Sequence, residues 1–108
     1  MSMKIVYTHT ARQDLREIYD YIAFTLLVPG TAKSLTEKIM ADIRSLEEFP
    51  ESYPVYKDEP WHSQGVRFFP VKSYLVFYTV RHETETVSIA RIIYGGRDIS
   101  AQLEETVN

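Results

Sequence analysis

Apolar positions recur with two different periods along this chain, and the change of period divides it into a helical half and a strand half. Residues 4–8 (Lys-Ile-Val-Tyr-Thr) read as a short strand. Ala11, Leu15, Ile18, Tyr19, Ile22 and Leu26 then repeat at helical spacing, with charged residues opposite. Thr10-Ala-Arg-Gln13 has capping-box spacing and predicts the start of that helix. Leu27-Val28-Pro29-Gly30 breaks it, because Pro29 restricts the residue before it. A second helix is predicted from about Pro29 or Thr31 to Glu48, with the stripe Ala32, Leu35, Ile39, Ile43 and Leu46; Pro50 and Pro54 end it. So short a break predicts an antiparallel helical hairpin.

Beyond a proline- and aromatic-bearing loop over residues 51–64, the pattern becomes that of strands. Gly65–Val71, Tyr74–Arg81 and Val87–Tyr94 are separated by turns at Lys72-Ser73 and His82–Thr86. Gly95-Gly96 releases the chain from the third of these, and residues 99–105 predict a last short helix. The order is β-α-α-β-β-β, which predicts an α+β fold: an antiparallel sheet covered on one face by the hairpin, with the other face left to water or a partner.

With 108 residues the chain fits one domain, residues 1–108. Its 44% hydrophobic and 25% charged residues are ordinary globular proportions and do not suggest disorder. The lack of cysteine excludes disulfide scaffolds, thiolate metal sites and a cysteine nucleophile, and it suits a reducing cytosol. The first apolar run is too short for a signal peptide, and none approaches the ~18 residues of a membrane span. A cytoplasmic protein with no membrane partner is expected.

The net charge of -3 disfavours indiscriminate nucleic-acid binding, yet it is unevenly spread. Residues 1–60 carry seven Lys/Arg against ten Asp/Glu, whereas residues 61–100 carry five against three. Basic groups able to meet an anionic partner therefore gather in the C-terminal half.

His9, His62 and His82 lack metal-ligand spacing, so neither a metal nor a cofactor is expected. His62 beside Trp61 could stack on a base, although a solvated loop histidine is the simpler reading. Asp14, Glu17 and Asp20 follow a helix start, where the dipole favours negative charge; a solvated face outweighs paired acid–base catalysis. Gly95-Gly96 lacks the surroundings of a phosphate-binding loop, so a conformational role at the sheet end is favoured.

The arginines stand apart. Arg67 opens a strand, Arg91 interrupts an apolar strand, and Arg97 follows the glycines. An unpaired buried guanidinium is costly, so Arg91 must either pair with Asp98 or a helix carboxylate, or lie on an open face. Alternatively, guanidinium forks at a sheet edge built around Arg67 and Arg97 meet phosphate or carboxylate groups of a partner.

The run Gly65-Val-Arg-Phe-Phe-Pro-Val71, then Tyr74-Leu-Val-Phe-Tyr78, then Val87-Ser-Ile-Ala-Arg-Ile-Ile-Tyr-Gly-Gly-Arg-Asp98 resembles the RelE/ParE toxin superfamily, and the N-terminal helical pattern is similar too. The resemblance covers nearly the whole chain. It implies the toxin of a type II toxin–antitoxin module, held by a cognate antitoxin in a hetero-oligomer, with either DNA gyrase or ribosome-bound mRNA as target. As a metal-independent endoribonuclease of RelE type it would use Arg97, and approximately Arg67, at the scissile phosphate. Yet Leu75 stands where RelE-like toxins carry an arginine, and the position of their C-terminal tyrosine falls near Leu103. Tyr94 or His82 is left as a substitute. These departures favour a ParE-like toxin whose contact residues are Arg67, Arg91, Arg97 and Tyr94. A non-toxic interaction module of the same fold is the rival from another class, and a small RNA-binding domain is disfavoured by the acidic pI.

Overall fold

The computed structural model describes residues 2–96, 99, 101 and 103. Strand β1 (Lys4–Tyr7) leads into helix α1 (His9–Asp20), which widens into a π turn (Tyr21–Thr25); helix α2 (Pro29–Arg44) follows and tightens into a 3-10 turn (Ser45–Glu47). Strands β2 (Arg67–Val71), β3 (Tyr74–Arg81) and β4 (Thr86–Tyr94) complete a sheet of order β1-β4-β3-β2. The three later strands form the expected antiparallel meander, whereas β1 runs parallel to β4, making the sheet mixed.

The cap of α1 lies two residues before the predicted one. Thr8 leaves β1 in an extended conformation, and its hydroxyl accepts from the Ala11 N–H at 3.0 Å. The same hydroxyl donates to the Ala90 carbonyl at 3.2 Å, so the helix start is fastened to β4. Gln13 is thereby released from any capping role and donates to Glu17 at 3.1 Å. The π turn is marked by the Leu26 N–H donating to the Tyr21 carbonyl five residues back at 3.0 Å. Leu27 then takes φ 61°, and Pro29 opens α2 at a position where its missing N–H costs nothing.

The helix-side core joins Ala11, Ile18 and Ile22 of the first helical run, Ala32, Ile39 and Ile43 of α2, and Phe69, Val76, Tyr78 and Ile89 of the sheet. At β2 the Tyr53 ring stacks on Phe69 with centroids 4.5 Å apart. The Tyr78 hydroxyl reaches over to donate to the Pro50 carbonyl at 2.8 Å.

The second sheet face is covered, contrary to expectation. Phe77, Ile93, Val66, Trp61 and Leu103 form a separate core there, with Tyr56, Phe68, Leu75 and Ile99 packed around it. The loop over 51–64 supplies the lid. Its Tyr56 ring meets Trp61, Phe68 and Phe77 edge-on, and Trp61 is therefore buried rather than presented to a base. The same loop adds a rung to the β2 edge. Phe68 N–H donates to the Pro54 carbonyl at 3.1 Å, and Tyr56 N–H donates to the Val66 carbonyl at 2.7 Å. Of the last helix predicted over 99–105, Ile99, Ala101 and Leu103 are described and helical; the remainder lies outside the described residues. No helix among the described residues is long and apolar enough to cross a membrane.

Burial pushes the Tyr78 phenol up to about 12, against the pull of the nearby Arg67 guanidinium. Below pH 10 the phenol is neutral whether the chain is folded or unfolded. Between pH 10 and about 12 the unfolded chain ionises first, so folding stability contributed by this group is lost as pH rises. Tyr78→Phe should cost on the order of 1 kcal/mol at neutral pH through the Pro50 carbonyl it abandons. In urea titrations across pH 8–12, the gap to wild type should then narrow on the alkaline side.

Candidate functional site

An extra residue in β4 organises the region around the predicted arginines. Tyr78 pairs with Ile89 and Phe77 with Arg91, which leaves Ala90 unmatched in a β-bulge. The bulge changes the parity of the strand. Val87 and Ile89 face the helices before it; after it Ile92 faces them, and Ile93 enters the second core.

A bulge disrupts the ladder, and here α1 supplies partners for the disturbed backbone. Thr8 serves the Ala90 carbonyl, and the Asp14 carboxylate accepts from the Ile92 N–H at 2.9 Å. The same carboxylate takes a two-pronged bond from Arg91, Nε to Oδ2 at 2.7 Å and Nη2 to Oδ1 at 3.0 Å. Both side chains are about nine-tenths removed from solvent, at 9% exposure for Arg91 and 12% for Asp14. Of the two alternatives weighed for Arg91, pairing with a helix carboxylate is the one observed. Asp14 does not belong to a solvated acidic face, because it sits within the stripe of Ala11 and Ile18; Glu17 and Asp20 are exposed.

Beside this pair runs a groove of about 590 Å³ between the first helix and the ends of β3 and β4. Ile18, Ile22 and Ile92 make its apolar wall, while Tyr21, Tyr74 and Tyr94 rim it. Tyr94 is 48% exposed and meets Tyr74 edge-on at 5.7 Å. Gly95 and Gly96 serve this arrangement by their size. Neither has a positive φ, but a Cβ on Gly95 would lie 3.3 Å from the Ser73 carbonyl, and one on Gly96 would lie 2.5 Å from the Tyr94 ring. A steric role thus replaces the conformational one expected of them.

Arg67 stands elsewhere. It pairs with Tyr78, four residues along β3 from the Tyr74 that pairs with Tyr94, a displacement of about 13 Å along the strand. Its guanidinium donates to the Tyr53 carbonyl at 2.6 Å and lies 3.7 Å from the Glu51 carboxylate. Glu51 also meets His82 at 3.3 Å. Arg91 and Tyr94 are therefore brought to one groove and Arg67 is not; Arg97 lies outside the described residues. The helix-borne participants Asp14, Ile18 and Tyr21, and Tyr74 on β3, escaped sequence reasoning. For Asp14 the signal was its i+3 and i−4 spacing to Ala11 and Ile18.

Two helices on one face of a four-stranded mixed sheet define a fold shared with toxins of the RelE/ParE superfamily. The chromosomal ParDE toxin–antitoxin system of P. aeruginosa superposes with a TM-score of 0.71 at 22% identity, covering 86% of this chain and 96% of that one. E. coli toxin RelE, an arginine-substituted mutant in the free state, gives 0.67 at 15% identity over 99% and 96% of the two chains. The RelBE2 toxin–antitoxin complex of Mycobacterium tuberculosis gives 0.58 at 19% identity over 87% and 99%. A search of curated protein sequences finds no significant match. A family model described as the ParE toxin of the type II toxin-antitoxin system, parDE, matches residues 5–99. The chain belongs to the ParE toxin family.

The buried pair gives a sharp contrast between two carboxylates on one helix. Asp14→Ala leaves Arg91 and the Ile92 N–H without their acceptor and should lower urea-unfolding stability by about 3 kcal/mol or more. Glu17→Ala, on the exposed side, should change it by no more than about 0.5 kcal/mol.

Proposed function

We propose that this protein is the toxin of a type II toxin–antitoxin module, acting in the cytoplasm and arresting growth when free of its antitoxin. Its effector action is ParE-like: it inhibits DNA gyrase by contact, with no covalent step performed by the protein. Family membership supports the module, and Leu75 carries the choice of effector. At the place where RelE-like ribonucleases carry an arginine, this chain packs an aliphatic side chain against the second core with Phe77 and Ile93. Such a side chain can neither stabilise a phosphate nor move a proton. Arg91 is committed to Asp14, and Arg67 to the loop carbonyl of Tyr53, which leaves as the proposed contact residues Tyr94, at the end of β4, and Arg97, three positions further along the sequence.

Induced expression without an antitoxin should stop growth of the host, and normal growth with folded protein present would sink the reading. With purified protein, accumulation of gyrase–DNA cleavage complexes is the expected result. Codon-spaced mRNA cuts that require ribosomes would instead establish an endoribonuclease. Arg97→Ala should weaken growth arrest while leaving the urea-unfolding midpoint unchanged; full toxicity of that variant would place the contact surface elsewhere. Arg67→Ala is a poorer probe, because losing its bond to Tyr53 unfastens the loop as well.

A further inference from the structure

The tip of the helical hairpin carries a surface at odds with the rest of the molecule. Residues 21–32 hold no charged group, although 25% of the whole chain is charged. Ile22, Ala23 and Ala32 of this run are buried, whereas Tyr21, Phe24, Leu26, Leu27 and Val28 are exposed. The π turn produces that exposure. By adding a residue to the turn it rotates the chain, so Leu26, which continues the stripe of Ile18 and Ile22 in sequence, emerges on the surface. Phe24 is left 70% exposed and Leu27 75%. Leu27 is held there at φ 61°, a conformation its own Cβ disfavours and glycine adopts freely. So exposed a side chain gains too little from the chain's own core to offset that strain.

This projection stands beside a recess. Tyr21, Ile22 and Leu26 also line the groove of about 590 Å³, whose rim Tyr74 and Tyr94 complete. A projection and a hollow next to each other on one chain are filled mutually by a two-fold axis between two copies. Set far apart, they would instead link copies into an open filament. The surface is large enough for a closed pair. Tyr21, Phe24, Leu26, Leu27, Val28 and Tyr94 expose on the order of 100 Å² each, given the size of such side chains. Two copies would together remove about 1,200 Å² from water, the lower end of stable specific interfaces. A contiguous apolar patch of that extent is at the upper limit for a monomer.

We propose that this surface pairs two copies of the chain about a two-fold axis, with Phe24 and Leu27 of each entering the tyrosine-rimmed groove of the other. The lack of any cation in residues 21–32 argues against a nucleic acid or an anionic membrane as the occupant. The pairing covers Tyr94, which is half exposed in the single chain. A paired chain is thereby kept from its target; this consequence rests on the toxin reading, and the pairing itself does not.

Sedimentation velocity of the full chain over about a hundredfold range of micromolar concentration should show its mass rising from 12.6 kDa towards twice that value. The double variant F24D/L27D, checked for folding by circular dichroism, should stay at 12.6 kDa throughout. The chain has no cysteine, so L27C at the tip and S73C on the groove wall give an unambiguous cross-link. When the two variants are mixed, a short bismaleimide should join them into one covalent dimer. A monomer at every concentration, an unaltered dimer in F24D/L27D, species that grow beyond the dimer, or no product joining L27C to S73C would overturn the proposal. A constant mass with co-sedimentation on phosphatidylcholine vesicles would overturn it in favour of a bilayer. Normal growth of the expressing host would defeat the toxin reading and leave the measured mass untouched, and a monomeric chain would leave growth arrest untouched.

Discussion

The structure depends on a carboxylate placed under a bulge. Asp14 accepts from the Arg91 guanidinium twice and from the Ile92 N–H once, joining the first helix to the last strand where β4 breaks its own ladder. Taking two charges out of water is costly, and the cost is tolerable only when geometry is good and the remaining lone pairs and protons are satisfied. Those conditions are met together here. The guanidinium is gripped by both carboxylate oxygens, the bulged backbone gives up an N–H to the same group, and Thr8 answers the neighbouring Ala90 carbonyl. What the interaction secures is registration more than raw stability, since it fixes α1 along and against the sheet.

From that fastening the two faces follow. The bulge shifts the parity of β4, so that Ile92 continues the helix-side core while Ile93 turns to the other side. A sheet with apolar residues on both faces needs two covers. The hairpin provides one, and the aromatic loop provides the second through Tyr56 and Trp61. The tyrosine-rimmed groove lies where the hairpin stops short of covering β3 and β4, and its shape is inherited from the position of α1.

Much of this was legible in the sequence. The helical stripes, the hairpin break before Pro29 and the strand meander all rest on periodicity, a signal carried redundantly by many residues. What escaped depends on single residues whose meaning is set by distant partners. Asp14 looks like one more acid near a helix start unless its spacing to Ala11 and Ile18 is weighed above its charge. The bulge is written as a stumble in alternation at Ala90-Arg91-Ile92, but an arginine there reads equally well as an exposed position. The covered second face could be suspected from Phe68, Leu75, Phe77 and Ile93, which are too apolar for a solvated surface. The residues that cover it come partly from a loop without period, through Tyr56 and Trp61, and partly from the helical positions Ile99 and Leu103 far along the chain. A glycine after a strand suggests backbone freedom, while the role of Gly96 is to leave room for the Tyr94 ring.

The parallel pairing of β1 with β4 also has a consequence in time. Thr8 and Ala90, whose contact starts the first helix on the last strand, are separated by 82 positions. A growing chain can form its helical hairpin early, since those contacts are local, but β1 finds no neighbour until β4 has been made. Asp14 has no guanidinium to grip before that point either. The groove is therefore assembled in one late step, after nearly all of the described chain is available. A partner able to recognise the hairpin alone would meet this protein before its groove exists.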